Sequence, residues 1–345
     1  MRSLANPFRA TGLDHPDLAD IPFPSIDASA PRALLARCPK AGVTPLTGAP
    51  SLAKALGVGQ VMIKDERTRM GLGSFKALGA AYVIACDAEK GEARGRSYVT
   101  ASAGNHGLSV AAGAAAFGAQ AVIFLADTVP ETFADRLRDI GAEVVRAGAD
   151  YEASMAAAMS HAEASGAALL SDSSWAGYVD RPYRLMEGYL ALMAEVFEQI
   201  DAPPTHMFLQ AGVGGLAGAA AAIARAHWGA ATRIIVVEPE AAPCLIASIQ
   251  AGAPVETSGP VSAMGRLDCK VASLIALRAL ARDADDFMAL SEAEGETGAA
   301  LAATHGFSST PSGAAGIAGL AAADGAFDLD ARSRVLVILS ERADT

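Results

Sequence analysis

Residues 97–107 read SYVTASAGNHG. A short apolar run rich in β-formers ends in small residues, and Asn105-His106 then opens a Gly- and Ala-rich run. The stretch therefore predicts a strand, a tight loop and a helix. The same unit recurs in both directions along the chain. Upstream stand a short helix over 51–56, a strand over 60–64 and a glycine-bearing loop, RTRMGLGSFK, that opens a helix over 77–89. Downstream the alternation predicts a strand AVIFLA, a helix 129–140, a strand AEVVRAG, a helix 151–165, a strand ALLSDS and a long helix 182–199. Then come a strand MFLQA, a glycine turn, a helix 215–227 and a strand RIIVVE. Apolar strands alternating with helices predict parallel sheets covered on both faces, the α/β class. Such sheets bind ligands at the carboxyl ends of their strands. Residues 1–43, with several prolines, read as irregular.

The 345 residues exceed one usual domain, so two units sharing one site are expected. Hydrophobic residues make up 52% of the chain and charged residues 19%, enough apolar material for a large core. A net charge of −11 with no Lys/Arg run opposes binding to nucleic acid or an anionic membrane. Residues 107–126 and 207–224 approach membrane-spanning length but are mostly Ala and Gly, and each divides into a strand-like and a helix-like part. They read as buried α/β elements. The four cysteines, Cys38, Cys86, Cys244 and Cys269, show no CxxC spacing, which fits unpaired thiols in a reducing compartment and no zinc site. The polar N-terminus MRSLANPFRATGLDHPDL carries no apolar core of a secretory signal, so a cytoplasmic location is expected.

Several loops carry chemistry. Lys76, in Gly73-Ser74-Phe75-Lys76, begins a helix in a small-residue loop. Desolvation and the helix dipole are expected to lower its pKa and make it a nucleophile toward an aldehyde. In Ser102-Ala103-Gly104-Asn105-His106-Gly107, helix-terminal amides suit a carboxylate, and Asn105 adds a side-chain donor. His106 is a titratable candidate, although a lone histidine equally serves in a core. The loop Gly212-Val213-Gly214-Gly215 lets backbone amides approach a phosphate. It also fits a dinucleotide fingerprint, Gly212-x-Gly214-x-x-Ala217, with Glu238 ending the next strand where a ribose-binding acid would stand. This segment alone leaves an NAD-dependent oxidoreductase and a monophosphate cofactor both open. Asp172 ends a strand, where a carboxylate is either a base facing the cleft or a helix cap. Ser340 follows the strand RVLVIL.

Together and in this order, these loops resemble the fold-type II pyridoxal-phosphate enzymes, the two-domain tryptophan synthase β-like group that includes threonine and serine dehydratases. Ser74-Phe75-Lys76 is similar to the family's Schiff-base motif, Ser102-x-Gly104-Asn105-His106 to its asparagine loop and Gly212–Gly215 to its phosphate loop. The nearest likeness is to the diaminopropionate ammonia-lyases, carried by Lys64-Asp65-Glu66, by Asp172 through Tyr178, and by Thr205-His206 leading into Leu209–Gly214. The resemblance implies pyridoxal 5′-phosphate on Lys76, Asn105 at its 3′ oxygen, Gly212, Val213, Gly214 and Gly215 on its phosphate, and Ser340 at its pyridine nitrogen. It implies Lys76 and Asp172 as catalytic residues, and Ser102, Gly104, Asn105 and His106 as substrate-binding, with no metal. It further implies a homodimer, with a small mobile domain over 81–182 inserted in a large one made of 1–80 and 183–345. The expected reaction is β-elimination on a small L-amino acid such as 2,3-diaminopropionate, giving a 2-oxo acid and ammonia. Dehydration of serine, threonine or hydroxyaspartate is the alternative. One departure concerns stereochemistry: Ala103 stands where those lyases carry an acidic residue tied to the D-isomer.

Overall fold

The computed structural model describes residues 1–343. Its strands are β1 (Arg2–Ala5), β2 (Leu46–Gly48), β3 (Gln60–Asp65), β4 (Ser97–Ala101), β5 (Gln120–Leu125) and β6 (Glu143–Arg146). They continue with β7 (Ala168–Leu169), β8 (His206–Gln210), β9 (Arg233–Pro239), β10 (Asp286–Leu290) and β11 (Arg334–Leu339). The helices are α1 (Ser29–Leu35), α2 (Pro50–Ala55), α3 (Ala77–Glu89), α4 (Asn105–Ala116), α5 (Glu131–Asp139) and α6 (Tyr151–Ser165). After them come α7 (Asp180–Gln199), α8 (Gly215–Trp228), α9 (Cys244–Ala251), α10 (Leu274–Asp283), α11 (Glu292–Thr304) and α12 (Ala315–Ala322).

Two sheets result. The larger has the order β1-β10-β9-β8-β11-β3-β2, and the smaller the order β6-β5-β4-β7. The smaller sheet is parallel throughout, and so are the five central strands of the larger one. Strands β8, β10 and most of β9 and β11 are buried along their length, as runs such as RIIVVE and RVLVIL require when helices cover both faces. The edges of the larger sheet differ from the expected all-parallel pattern, because β1 and β2 pair antiparallel. Strand β1 lies in the stretch read as irregular. Its four residues are mostly exposed and show no clear alternation, so pairing with β10 makes it a strand. The adjoining Asn6 fixes this edge by donating to the carbonyls of Ala281 and Ala284 at the end of α10, at 2.9 and 2.7 Å.

A buried ionic cluster anchors the segment that leads into α3. Lys64, at the end of β3, donates to Glu195 of α7 at 2.6 Å and to the Thr44 carbonyl at 2.6 Å. Arg69 pairs with Glu66 and Glu195, each at 2.7 Å, and all four side chains are nearly or fully inaccessible. Burial and the neighbouring Arg69 pull the Lys64 ammonium down while Glu195 holds it up. The cluster therefore locks one short helical turn, Glu66–Gly71, against α7. That turn delivers the chain to Gly73 and Lys76.

Candidate functional site

Lys76 occupies the N-cap of α3, where no side chain caps the helix. The loop before it is pinned to the end of β11, since the Phe75 N–H donates to the Ser340 carbonyl at 3.1 Å and the Arg342 N–H to the Gly73 carbonyl at 2.9 Å. Gly73 has φ +83°, and a Cβ there would sit 2.7 Å from the Arg342 side chain. This pinning brings the first helix-opening loop beside the last strand of the sheet. Ser109 of α4 donates to the Lys76 carbonyl at 2.7 Å and ties the asparagine-loop helix to the same point.

The Lys76 ammonium is hydrogen-bonded to the Asp172 carboxylate. Burial opposes charge on both groups, but their mutual attraction prevails. Lys76 is held well above the ordinary lysine range and Asp172 well below the ordinary carboxylate range. Desolvation and the helix dipole by themselves would lower the lysine; the adjacent carboxylate reverses that sign. Asp172 accordingly serves this site as the lysine's ion partner and not as a helix cap.

Gly212–Gly215 joins β8 to α8 and has little room for side chains. A Cβ on Gly212 would lie 2.9 Å from the Cys269 sulfur, and one on Gly214, which has φ +94°, 2.9 Å from the Ala276 Cβ. Gly215 is different: its Cβ would enter space bounded at 3.8 Å by Met186 and Tyr189 and at 3.9 Å by the Asp172 carbonyl. The N-terminus of α8 has no side-chain cap, so its first amides face this cradle without intrahelical partners. The Tyr189 hydroxyl is buried there without a hydrogen-bond partner. Its ring meets Phe75 edge-on at 5.0 Å. A dianionic phosphate suits this arrangement, with open amides and an unsatisfied hydroxyl one glycine from an amine that can take an aldehyde. The residues present fit pyridoxal phosphate.

They do not fit a dinucleotide. Glu238 is fully buried, and its carboxylate accepts the Leu245 and Ile246 N–H groups at 2.8 and 2.7 Å. It caps α9 and offers nothing to a ribose. The oxidoreductase reading of Gly212-x-Gly214-x-x-Ala217 is set aside on this ground.

The asparagine loop leads from β4 into α4. The Ser102 hydroxyl accepts the Gly104 and Gly107 amides at 3.3 and 3.0 Å and so shapes the loop itself. Gly104 is the N-cap of α4, which leaves the Asn105 and His106 amides directed outward. The His106 ring is turned into the core, with Nε2 at 2.8 Å from the Leu170 carbonyl, and burial holds it below the ordinary histidine range. Its ring is thus turned away from the outer side of the loop, where only its backbone amide is left.

Asn105 donates to the Glu341 carboxylate, which also accepts from Thr310 and pairs with Arg266 at 3.2 Å. Ser340 is buried beside it and anchors the Phe75 amide through its carbonyl. Sequence reasoning missed Glu341 and Tyr189. Glu341 adjoins the already chosen Ser340, so a buried acid directly after a core strand was the available signal.

The sequence profile of the pyridoxal-phosphate dependent enzymes matches residues 38–341. Diaminopropionate ammonia-lyase of Salmonella typhimurium is 35% identical over 61% of this chain and 59% of its own length. The biosynthetic L-threonine dehydratase of Escherichia coli is 32% identical over 63% of this chain and 40% of its own. The matched stretch thus spans less than two thirds of these relatives. The crystal structure of Escherichia coli diaminopropionate ammonia-lyase in complex with an aminoacrylate-PLP azomethine reaction intermediate superposes with a TM-score of 0.87. That match has 28% identity and covers 99% of this chain and 93% of the other.

Proposed function

The chain belongs to the pyridoxal-phosphate dependent enzymes, and from that premise we propose that it catalyses β-elimination on a small L-amino acid, releasing a 2-oxo acid and ammonia. The observation that carries the proposal is the Lys76–Asp172 pair beside the open cradle of Gly215 and Tyr189. Relatives that act as ammonia-lyase and dehydratase support the reaction class.

When bound, the cofactor supplies a carbonyl for a primary amine and a conjugated ring that takes up the electron pair left by a departing α-proton. Lys76 would hold that carbonyl, and the amides of Gly212, Val213, Gly214 and Gly215 would hold the phosphate. Asn105 would face the ring oxygen and Ser340 the ring nitrogen. The Asn105 and His106 amides, in the loop built by Ser102 and Gly104, would bind the substrate carboxylate. Lys76 takes the α-proton at Nζ, and Asp172 stabilises the ammonium that results. The same ammonium would return a proton to the departing β-substituent. Ala103 carries no proton chemistry, so no acid serves the opposite face of the substrate from that position.

With 2,3-diaminopropionate the products are pyruvate and two molecules of ammonia. A hydroxyl leaving group makes the enzyme a dehydratase of serine, threonine or hydroxyaspartate. No helix among the described residues is long and apolar enough to cross a membrane. A cytoplasmic setting is supported by four free cysteines. The homodimer, and closure of residues 81–182 over the site, rest on the family resemblance. The test is to load the protein with pyridoxal phosphate and measure 2-oxo acid and ammonia from L-2,3-diaminopropionate, L-serine and L-threonine. Equimolar release from at least one of them, or twice as much ammonia from the diamine, supports the proposal. No release from any small amino acid overturns it.

A further inference from the structure

Asp172 reaches Lys76 from a segment anchored on both sides. Before it, the Leu170 N–H donates to the Val99 carbonyl of β4 at 2.8 Å, and the Leu170 carbonyl lies 2.8 Å from Nε2 of His106. After it, Ser174 is bound to the start of α10. The Ser174 N–H donates to Oγ of Ser273 at 3.1 Å, and one of the two hydroxyls donates to the other at 2.7 Å. Oγ of Ser174 accepts the Ile275 N–H at 2.9 Å, and the Ser174 carbonyl accepts the Leu274 N–H at 3.0 Å. Both serines are buried. Ser273 is the N-cap of α10 but does not cap that helix with its own side chain. Ser174, 99 positions away, caps it instead.

Ser273 is also bonded to the glycine loop. Its N–H donates to the Val213 carbonyl at 3.0 Å. The C=O and N–H of a trans peptide point in opposite directions, so this bond turns the Gly214 N–H away from Ser273. One residue therefore orients an amide of Gly212–Gly215 through its main chain and holds the Asp172 segment through its hydroxyl. Capping α10 alone would need neither the bond from the Ser174 N–H to Ser273 nor the bond to Val213.

We propose that Ser273 is a positioning residue that couples the Gly212–Gly215 loop to the seating of the Asp172 carboxylate on Lys76. This rests on the reading of Lys76 and Asp172 as the proton-handling pair of the elimination. Ser273 acts through Ser174 and touches no reacting atom. Without its hydroxyl, the loop and the carboxylate are no longer held in one arrangement, and Asp172 grips the lysine proton less firmly. Burial lowers Lys76, while Asp172, Tyr189 of α7 and Cys269 before α10 raise it, Asp172 most strongly. His106 of α4 faces the same pair.

The experiment compares the full chain as wild type, S273A, S174A, S273T, D172N and D172N/S273A. Pyridoxal, an aldehyde without the phosphate, is added to the cofactor-free chain at pH 8. Imine formation is followed by absorbance, and the rate in K76A is subtracted. S273A should react about tenfold faster than wild type, the change in neutral amine for one pKa unit. S174A keeps the bond from the Ser174 N–H to Ser273 and should show a smaller rise, and S273T should return the wild-type rate. Adding S273A to D172N should change the rate by less than about twofold, because the two substitutions act through one group. In the holoenzyme, S273A should lower kcat by roughly tenfold and leave KM within about twofold. A purely structural serine would lower stability in urea and leave the pyridoxal rate unchanged. An unchanged rate in S273A and S174A overturns the inference, and S174A decides the matter if S273A does not fold. An S273A effect equally large in D172N also overturns it. A wild type that forms the imine but turns over no amino acid overturns the elimination reading alone, since the coupling is still decided by the pyridoxal rates.

Discussion

Lys76 and Asp172 stand 96 positions apart in the chain, and their side chains form one ion pair at the mouth of the α8 cradle. A lysine must shed its proton before it can attack a carbonyl, and this carboxylate holds the proton on. Removing the charge by D172N should lower the lysine pKa and raise its neutral fraction near pH 8. One pKa unit corresponds to about a tenfold larger neutral fraction. Uptake of pyridoxal phosphate by cofactor-free D172N, followed by stopped-flow absorbance, should therefore be faster than in wild type. Turnover should fall by a factor on the order of 10² to 10⁴, because the proton partner is lost. Slower uptake in D172N would show that Asp172 does not control the Lys76 proton.

Gly214 adopts φ +94° with Ala276 directly above it. G214A adds left-handed strain of about 1–2 kcal/mol and pushes the loop out of shape. The dissociation constant for pyridoxal phosphate should rise by roughly tenfold in a fluorescence titration. Unchanged affinity would remove this loop from the phosphate site.

Glu195 faces both Lys64 and Arg69 in the buried cluster. E195A would leave two buried cations with Glu66 as their one acidic partner in the cluster. Unfolding in urea should show a loss of about 3 kcal/mol, as expected when one member of a buried ion network is deleted. A loss below about 1 kcal/mol would mean that the cluster is not the anchor of the Lys76 segment.

Glu238 gives a pH signature. Burial pushes its carboxyl up to about 8, although the Leu245 and Ile246 amides act against that rise. Its folded value stands above the ordinary 4.5, so the folded state binds the proton more tightly than the unfolded state. This contribution to stability is complete at low pH, declines as pH rises from about 4.5, and is gone above about 8. In E238Q, stability measured by urea titration at pH 6 and pH 9 should differ less than in wild type. An equal or larger difference would contradict the assignment.

What the sequence disclosed follows from how local each signal was. Lys76, Asn105 and Gly212–Gly215 each lie in a strand–loop–helix unit, whose pattern is complete within about a dozen residues. Helix α3 was legible to the residue for the same reason. Glu341 meets Asn105 across 236 positions, and no local pattern encodes that pairing. Tyr189 sits inside the long helix α7, where an aromatic residue reads as ordinary core. Strand β1 exists because β10 offers it an edge. The charge state of Lys76 was misread because the helix terminus is local and Asp172 is not. The dinucleotide fingerprint is ambiguous in the sequence because the capping of α9 by Glu238 is a contact of the folded chain.

The central claim is that Lys76 carries the cofactor. The most direct measurement is to incubate the protein with pyridoxal phosphate, reduce it with borohydride, digest it and map the modified peptide by mass spectrometry. The account predicts stoichiometric modification at Lys76, a near-visible absorbance band before reduction, and loss of both in K76A. Modification elsewhere in the chain, or a band that survives in K76A, would contradict it.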